Sequence, residues 1–338
     1  MENKQILFTA PNVAELVPCE LPAPAPHEIV VRTAVSTISN GTERANFTGD
    51  ANVSIYSAGE VTFPRACGYS AAGTVVAVGD NVSAFCVGDR VALFGSLHKT
   101  YNVLPASRAF RIPDGVTFSA AAMSYIAIFP MAAIRKTRLE IGEVALVMGL
   151  GTLGMIAVRL LRTAGACPII AADLSPARRE MALAAGADYA LDPTAPDFSD
   201  TVKRITCGGV RVAIEATGVG DGLNSALDCM ARFGRIALLG CTRDSDFTVD
   251  YYRKIHGPGI TLIGAHTAAR PVNDSAPGWF TTGDDMNAVL SLCAMGRLDL
   301  DTLVCETARP ADCAAVYRRL ADGKDFPVVL QFDWGEEV

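Results

Sequence analysis

The apolar positions fall into two contrasting patterns along the chain. Through the first third, short Val-rich runs at 28–35, 71–78, 90–93 and 101–104 are broken by Gly and Pro. Such alternation between turn signals predicts the strands of an antiparallel β unit. Turn pairs Gly79-Asp80 and Gly88-Asp89 punctuate it, and the Pro-rich run 21–28 reads as a surface connector. Near residue 120 the pattern changes. Ser119 is a candidate cap for a helix over 120–133. From Glu143 onward, apolar strands at 144–148, 167–171, 189–191, 210–215, 235–239 and 261–264 alternate with helical stretches at 154–164, 176–185, 198–206, 222–230 and 251–255. That alternation predicts a parallel sheet covered on both faces. The tail then returns to helices at 284–295 and 310–321 and a last strand at 328–332.

Length and composition narrow the class. A chain of 338 residues suits two domains, and 50% hydrophobic with 19% charged residues is the balance of a soluble globular protein. The net charge of -7 argues against nucleic acid or an anionic membrane as partner. No apolar run reaches signal-peptide or membrane-spanning length. The 10 cysteines form no CxxC pair and sit in apolar surroundings, which predicts reduced thiols and a cytoplasmic protein. His27, His98, His256 and His266 form no HxxH or HxxxH pair, so a metal site built from a local motif is not expected.

The strongest motif is Gly149-Leu150-Gly151-Thr152-Leu153-Gly154, which follows an apolar strand and opens a helix. In that setting the first Gly permits a tight turn, the second lets backbone approach a pyrophosphate, and the third lets helix and strand pack closely. The helix N-terminus adds free N–H groups for the phosphates. Asp173 ends the next strand, 19 residues past the last Gly. A carboxylate there accepts from the adenosine ribose hydroxyls and repels the extra phosphate of NADP, so NAD is the expected cofactor, with Arg178 flanking the ribose. The expected nucleotide contacts are thus Gly149, Gly151, Thr152, Leu153, Gly154, Asp173 and Arg178, joined by Thr217, Leu239 and Gly240 farther along.

With its N-terminal β unit, its central Gly-Leu-Gly-Thr-Leu-Gly domain and its returning tail, the chain resembles the medium-chain dehydrogenase/reductase superfamily. The resemblance implies an α/β protein. A GroES-like catalytic domain over 1–123 would be interrupted by a Rossmann domain over 124–266 and completed by 267–338, with the active site in the cleft between. Zinc members carry Cys-Gly-Thr-Asp near the N-terminus, where this chain has Asn40-Gly41-Thr42-Glu43. They carry Gly-His-Glu where this chain has Gly68-Tyr69-Ser70, and the third ligand falls on Ser124 or Tyr125. The four-cysteine lobe is absent. Three replacements in three positions predict a zinc-independent enzyme. The Ile38-Ser39-Asn40-Gly41-Thr42-Glu43 variant also resembles a smaller group that includes the bacteriochlorophyllide dehydrogenases.

Without zinc, side-chain donors and a general base must handle the hydroxyl proton. The expected catalytic set is Tyr69, Lys99, Thr42 and His98. In it Thr42 corresponds to the family's relay hydroxyl, and Lys99 lies close enough to Tyr69 to lower its pKa. Asn40, Glu43, Tyr125, His266 and Arg270 are expected to line a polar pocket for a sugar, polyol or cyclitol. Alternatives are a quinone or enone reductase, against which Asp173 argues, an inactive dinucleotide scaffold, or an enzyme that retains NAD for a transient oxidation. The resemblance further implies a homodimer or tetramer formed through the edge strand near 261–264.

Overall fold

The computed structural model describes residues 2–53, 61–323 and 325–335. The chain divides into two compact units, one formed by 1–126 with 286–338 and the other by 127–285.

In the first unit, the strand order Glu306–Ala308, Leu330–Asp333, Glu28–Thr37, Ser70–Val78, Arg90–Phe94, Ala109–Arg111 makes one sheet, with Tyr101–Pro105 also paired to Glu28–Thr37. Its pairings are antiparallel except for Glu306–Ala308 with Leu330–Asp333. Alternate apolar side chains of the long strand turn inward. Ile29 and Val31 join Val75, Val91 and Leu93 in one core, while Ile38 and Phe332 join Phe8, Phe47, Tyr317 and Trp334 in another. Register in such a half-buried sheet is set by this alternation. The returning tail is therefore part of this unit's core.

Helix Asn40–Thr48 is not expected from the apolar pattern. Its face is weakly apolar, with only Glu43, Ala45 and Phe47 buried, and Gly49 closes it in the left-handed conformation at φ 78°. The helix expected over 120–133 is instead two, Phe118–Ala122 and Ser124–Thr137. Thr117, not Ser119, caps the first by accepting from the Ala120 N–H at 2.9 Å. Ser119 Oγ is spent on Gln331 Oε1 at 2.9 Å.

The second unit holds six parallel strands in the order Tyr189–Leu191, Ile169–Ala172, Ala145–Met148, Val210–Glu215, Met230–Leu238, Thr261–Gly264. Its central strands are apolar throughout, as burial on both faces demands: Ala145, Leu146, Val147 and Ile169 through Ala172 are fully buried. Helix Thr152–Ala164 presents Met155, Ile156, Val158, Leu160 and Leu161 inward and ends at Gly165. The unit continues to Asp285, past the expected boundary at 266. The reason is electrostatic. The buried Asp285 lies 3.2 Å from both Arg135 and Arg270, and Arg135 also sits 3.7 Å over the Phe280 ring. Those bonds tie 267–285 to the Ser124–Thr137 helix.

Candidate active site

In the second unit the three fingerprint glycines have distinct surroundings. Gly149 takes φ 92°, and a Cβ there would lie 2.8 Å from Thr217 Cγ2. A Cβ on Gly154 would lie 1.8 Å from the Gly149 carbonyl oxygen. A Cβ on Gly151 would meet nothing within 4 Å. The outer two serve the turn and the helix packing, and the middle one leaves an open face at a helix N-terminus, where a pyrophosphate can approach backbone N–H groups.

Asp173 closes this loop. Its carboxylate accepts from the Leu150 N–H at 2.7 Å and the Ser175 N–H at 2.9 Å, and Arg178 stands 3.9 Å away. Arg179 instead donates to the carbonyls of Asp173 and Leu174. Thr217, Leu239 and Gly240 converge on Glu215, a residue that no sequence motif singles out. The Glu215 carboxylate accepts from Thr217 and Gly218, and its carbonyl accepts from the Leu239 and Gly240 N–H groups at 2.8 Å. Burial pushes the Glu215 carboxyl up, against the pull of those donors. An acid at the end of an apolar strand was the available signal.

Two expected pocket residues of this unit stand differently. His266 is half-buried, and its Nδ1 lies 3.1 Å from the Ala268 N–H, so that nitrogen accepts and Nε2 carries the proton. Burial, then the Arg243 and Lys136 charges, hold it below the usual histidine range. Arg270 does not present a free guanidinium: it bonds Asp285, the Ile128 carbonyl and the Thr267 carbonyl.

In the first unit, helix Asn40–Thr48 and the start of strand Ser70–Val78 bring hydroxyls together. The half-buried Tyr69 hydroxyl donates to Ser39 Oγ in a very short bond, and Thr42 also bonds it. Tyr125 meets the Tyr69 ring edge-on at 5.6 Å and stacks on Phe94 at 5.3 Å. Burial raises the Tyr69 phenol above its ordinary value. The Ser39 and Thr42 bonds oppose that rise, and the Glu43 charge and Tyr125 add to it.

Lys99 is not beside Tyr69. It pairs with Gln5 across a β-bridge. Burial raises the Cys19 thiol while the Lys99 charge opposes the rise, which sets the ammonium on the Cys19 side. The expected lowering of the Tyr69 pKa by Lys99 is thus corrected: the phenol is raised by burial, and Lys99, held at its bridge to Gln5, takes no part in the shift. His98 and Glu43 also leave the expected pocket, because both are buried, at 0% and 2% exposure. They bond each other at 3.1 Å, behind the hydroxyl cluster. Ser39 directly precedes Asn40 yet carries no sequence signal of its own; its role depends on a hydroxyl freed from capping, which sequence does not display.

The positions where zinc members hold their metal carry other bonds. Asn40 donates to the carbonyls of Pro327 at 3.0 Å and Val328 at 3.2 Å. Tyr69 bonds Ser39, and Ser124 donates to the Ala121 carbonyl at 2.6 Å. An amide, a phenol and a hydroxyl, each already engaged, do not make a zinc set of thiolate, imidazole and carboxylate. One group among the described residues does bring metal-ligating atoms together: Glu43, Cys67 and His98, all within 4.8 Å of one another and all buried. Its members come from three separate segments, so no local motif announces it.

Residues 25–114 match the alcohol dehydrogenase GroES-like domain, and 152–276 match the zinc-binding dehydrogenase family. The chain is 27% identical to D-guloside 3-dehydrogenase of Escherichia coli K12 over 295 residues, covering 82% of this chain and 84% of that protein. Its fold superposes on an E. coli alcohol dehydrogenase complexed with NADH at a TM-score of 0.83 and 19% identity, covering 98% of this chain and 99% of that one. It superposes on a Sinorhizobium meliloti dehydrogenase bound to NADP at a TM-score of 0.82 and 18% identity, with the same coverage. With its GroES-like unit, its Rossmann unit and these matches, the chain belongs to the medium-chain dehydrogenase/reductase family, as an oxidoreductase acting on alcohol groups.

Proposed function

We propose that this protein is a zinc-independent, NAD-dependent dehydrogenase that interconverts a secondary alcohol and a ketone on a sugar, polyol or cyclitol. The observation that carries the reading is the Tyr69 hydroxyl, bonded to Ser39 and Thr42 at a position where zinc relatives hold a metal ligand. NAD, when bound, accepts or returns the hydride. This chain's residues handle the proton. Tyr69, kept protonated by burial, donates its O–H to the substrate oxygen as a carbonyl becomes a hydroxyl, and Ser39 and Thr42 resupply the proton. In the oxidative direction the relay runs in reverse: the Tyr69 oxygen takes the substrate O–H proton as Tyr69 passes its own proton to Ser39 Oγ, and Ser39 and the partly exposed Thr42 hand one on to bulk water. The Asp173 carboxylate supports NAD over NADP by repelling a 2′-phosphate. The kinship with a D-guloside 3-dehydrogenase supports a sugar substrate. The same reading takes the sheet-edge strand Thr261–Gly264, with Leu262 exposed, as the contact of a homodimer or tetramer.

The test pairs kinetics with metal analysis. NADH formation is followed over a panel of glycosides, polyols and cyclitols after exhaustive chelation. Tyr69→Phe is expected to lower turnover by about 100-fold or more while NADH still binds with wild-type affinity. Full turnover in that variant, or activity restored by stoichiometric zinc alone, would overturn the proposal.

A further inference from the structure

Behind the hydroxyl cluster, Glu43 anchors a buried chain of polar groups drawn from four segments. Its Oε1 accepts from the Ser39 N–H at 2.8 Å, and its Oε2 accepts from the Tyr317 hydroxyl at 2.5 Å. His98 Nε2 lies 3.1 Å from the same Oε2, and His98 Nδ1 lies 2.7 Å from Ser36 Oγ. Trp334 Nε1 donates to Ser36 Oγ at 2.9 Å.

The directions follow from the two ends of the chain: a carboxylate only accepts, so His98 Nε2–H donates to Glu43. An indole N–H can only donate. Ser36 Oγ therefore accepts from Trp334, and its own proton is free for His98 Nδ1. An Nδ1 that accepts leaves the proton on Nε2, which donates to Glu43. The carboxylate thus takes three donors, from Ser39, Tyr317 and His98. Cys67 completes the shell with weak contacts, 3.6 Å to the Tyr317 hydroxyl and 3.7 Å to the Ile6 carbonyl.

This arrangement alters Ser39. A serine at a helix start ordinarily turns its hydroxyl back to cap the first turn. Here the Ser39 side chain makes no capping bond. Glu43 instead holds the Ser39 backbone N–H, and the Ser39 hydroxyl faces Tyr69.

We propose that Tyr317, His98, Ser36 and Trp334 are positioning residues: by holding Glu43 against the first turn of helix Asn40–Thr48, they free Ser39 to work with Thr42 on the Tyr69 hydroxyl. The inference rests on the catalytic reading of Tyr69 given above. The tail residues Tyr317 and Trp334 then have a role in the proton path although neither meets the hydroxyl cluster.

The charge of Glu43 also reaches the phenol. The groups facing Tyr69 are Ser39, Thr42 and Glu43 from one helix and Tyr125 from another. Those facing the buried chain around Cys67 are Glu43, Tyr317 and Cys313. Glu43 is the one carboxylate in both sets, and its field favours the neutral phenol.

The test needs no substrate for its first arm. Protein carrying ring-labelled tyrosine is followed by NMR at neutral pH, with the Tyr69 signal assigned by its loss in Tyr69→Phe. In Glu43→Gln and Tyr317→Phe the Tyr69 ring signal should shift, because the Ser39 hydroxyl is no longer held against it. In the second arm, Tyr317→Phe and Ser36→Ala should lower kcat by about tenfold with NADH affinity unchanged. A lower Tm with an unmoved Tyr69 signal and wild-type kcat would make these residues structural only and overturn the inference. So would tightly bound zinc that is lost together in Glu43→Gln, Cys67→Ser and His98→Gln, which would make the cluster a metal site. If Tyr69→Phe itself keeps full turnover while the signal shift is present, the catalytic reading fails and the positioning of the Tyr69 hydroxyl through Glu43 stands.

Discussion

Asp173 shows how far a single residue is legible from sequence. Its spacing from the glycines predicts a carboxylate at a strand end, and the strand Ile169–Ala172 delivers it there. Two backbone N–H groups fix its orientation, with Arg178 nearby. A fixed anion should repel the 2′-phosphate of NADP. Asp173→Asn keeps the size and one acceptor and removes the charge. The ratio of kcat/KM for NAD over NADP should fall about tenfold in it, measured by initial rates with each cofactor. An unchanged ratio would mean that Arg178 or Arg179 decides. His98 and Lys99 mark the limit of such reading. They are adjacent in sequence, yet one is wholly buried on Glu43 and the other pairs with Gln5. Neither lies in a regular strand: His98 sits in a bend and Lys99 in an isolated bridge, so no local periodicity shows which way each side chain turns. The partner that decides each lies more than fifty residues away.

At the scale of elements, those with a strong period are legible and those with a tertiary reason are not. The central strands of the parallel sheet show in the apolar pattern, because strands buried on both faces need continuous apolar runs, whereas strand Met230–Leu238 begins five residues before the expected 235 and the edge strand Thr261–Gly264 is largely exposed. Helix Asn40–Thr48 is invisible there, since its inward face includes the charged Glu43 that only distant donors satisfy. The strands Asn3–Ala10 and Val13–Cys19 also escape the pattern; their burial alternates irregularly. The glycine loop permits a sharper test. Gly154 abuts the Gly149 carbonyl, whereas Gly151 opens onto empty space and has an ordinary φ of -71°. Gly154→Ala should destabilise by roughly 1–3 kcal/mol through overpacking, lowering Tm by several degrees. Gly151→Ala should leave Tm nearly unchanged and weaken NADH binding about tenfold or more, because its methyl would occupy the approach of the pyrophosphate. Thermal melts and fluorescence titration separate the two. Equal effects from both variants would place the pyrophosphate elsewhere.

At the scale of the whole molecule, the first unit is discontinuous in sequence, and its core shows why the chain must return. Phe8 and Phe47 from the N-terminal part pack with Tyr317, Phe332 and Trp334 from the tail. The Tyr317 ring meets Phe8 at 4.8 Å and Phe332 at 6.0 Å. Without the tail, a sheet face and the carboxylate of Glu43 would lose their cover. Trp334 combines both functions: it is fully buried, and its N–H starts the chain of donors that ends on Glu43. Trp334→Ala removes a large core side chain, which costs about 3–5 kcal/mol. For a unit of this size that corresponds to a Tm lower by roughly 10 °C. The nucleotide loop, the parallel sheet and Asp173 all belong to the other unit, whose core shares no residue with this one. NADH affinity measured well below the melting transition should therefore be unchanged, while dehydrogenase turnover falls. Trp334→Phe should recover most of the lost Tm by refilling the core, yet recover less turnover, because the N–H that orders Ser36 and His98 is still missing. Turnover that rises in step with Tm in the Phe variant would show that the indole acts by volume alone.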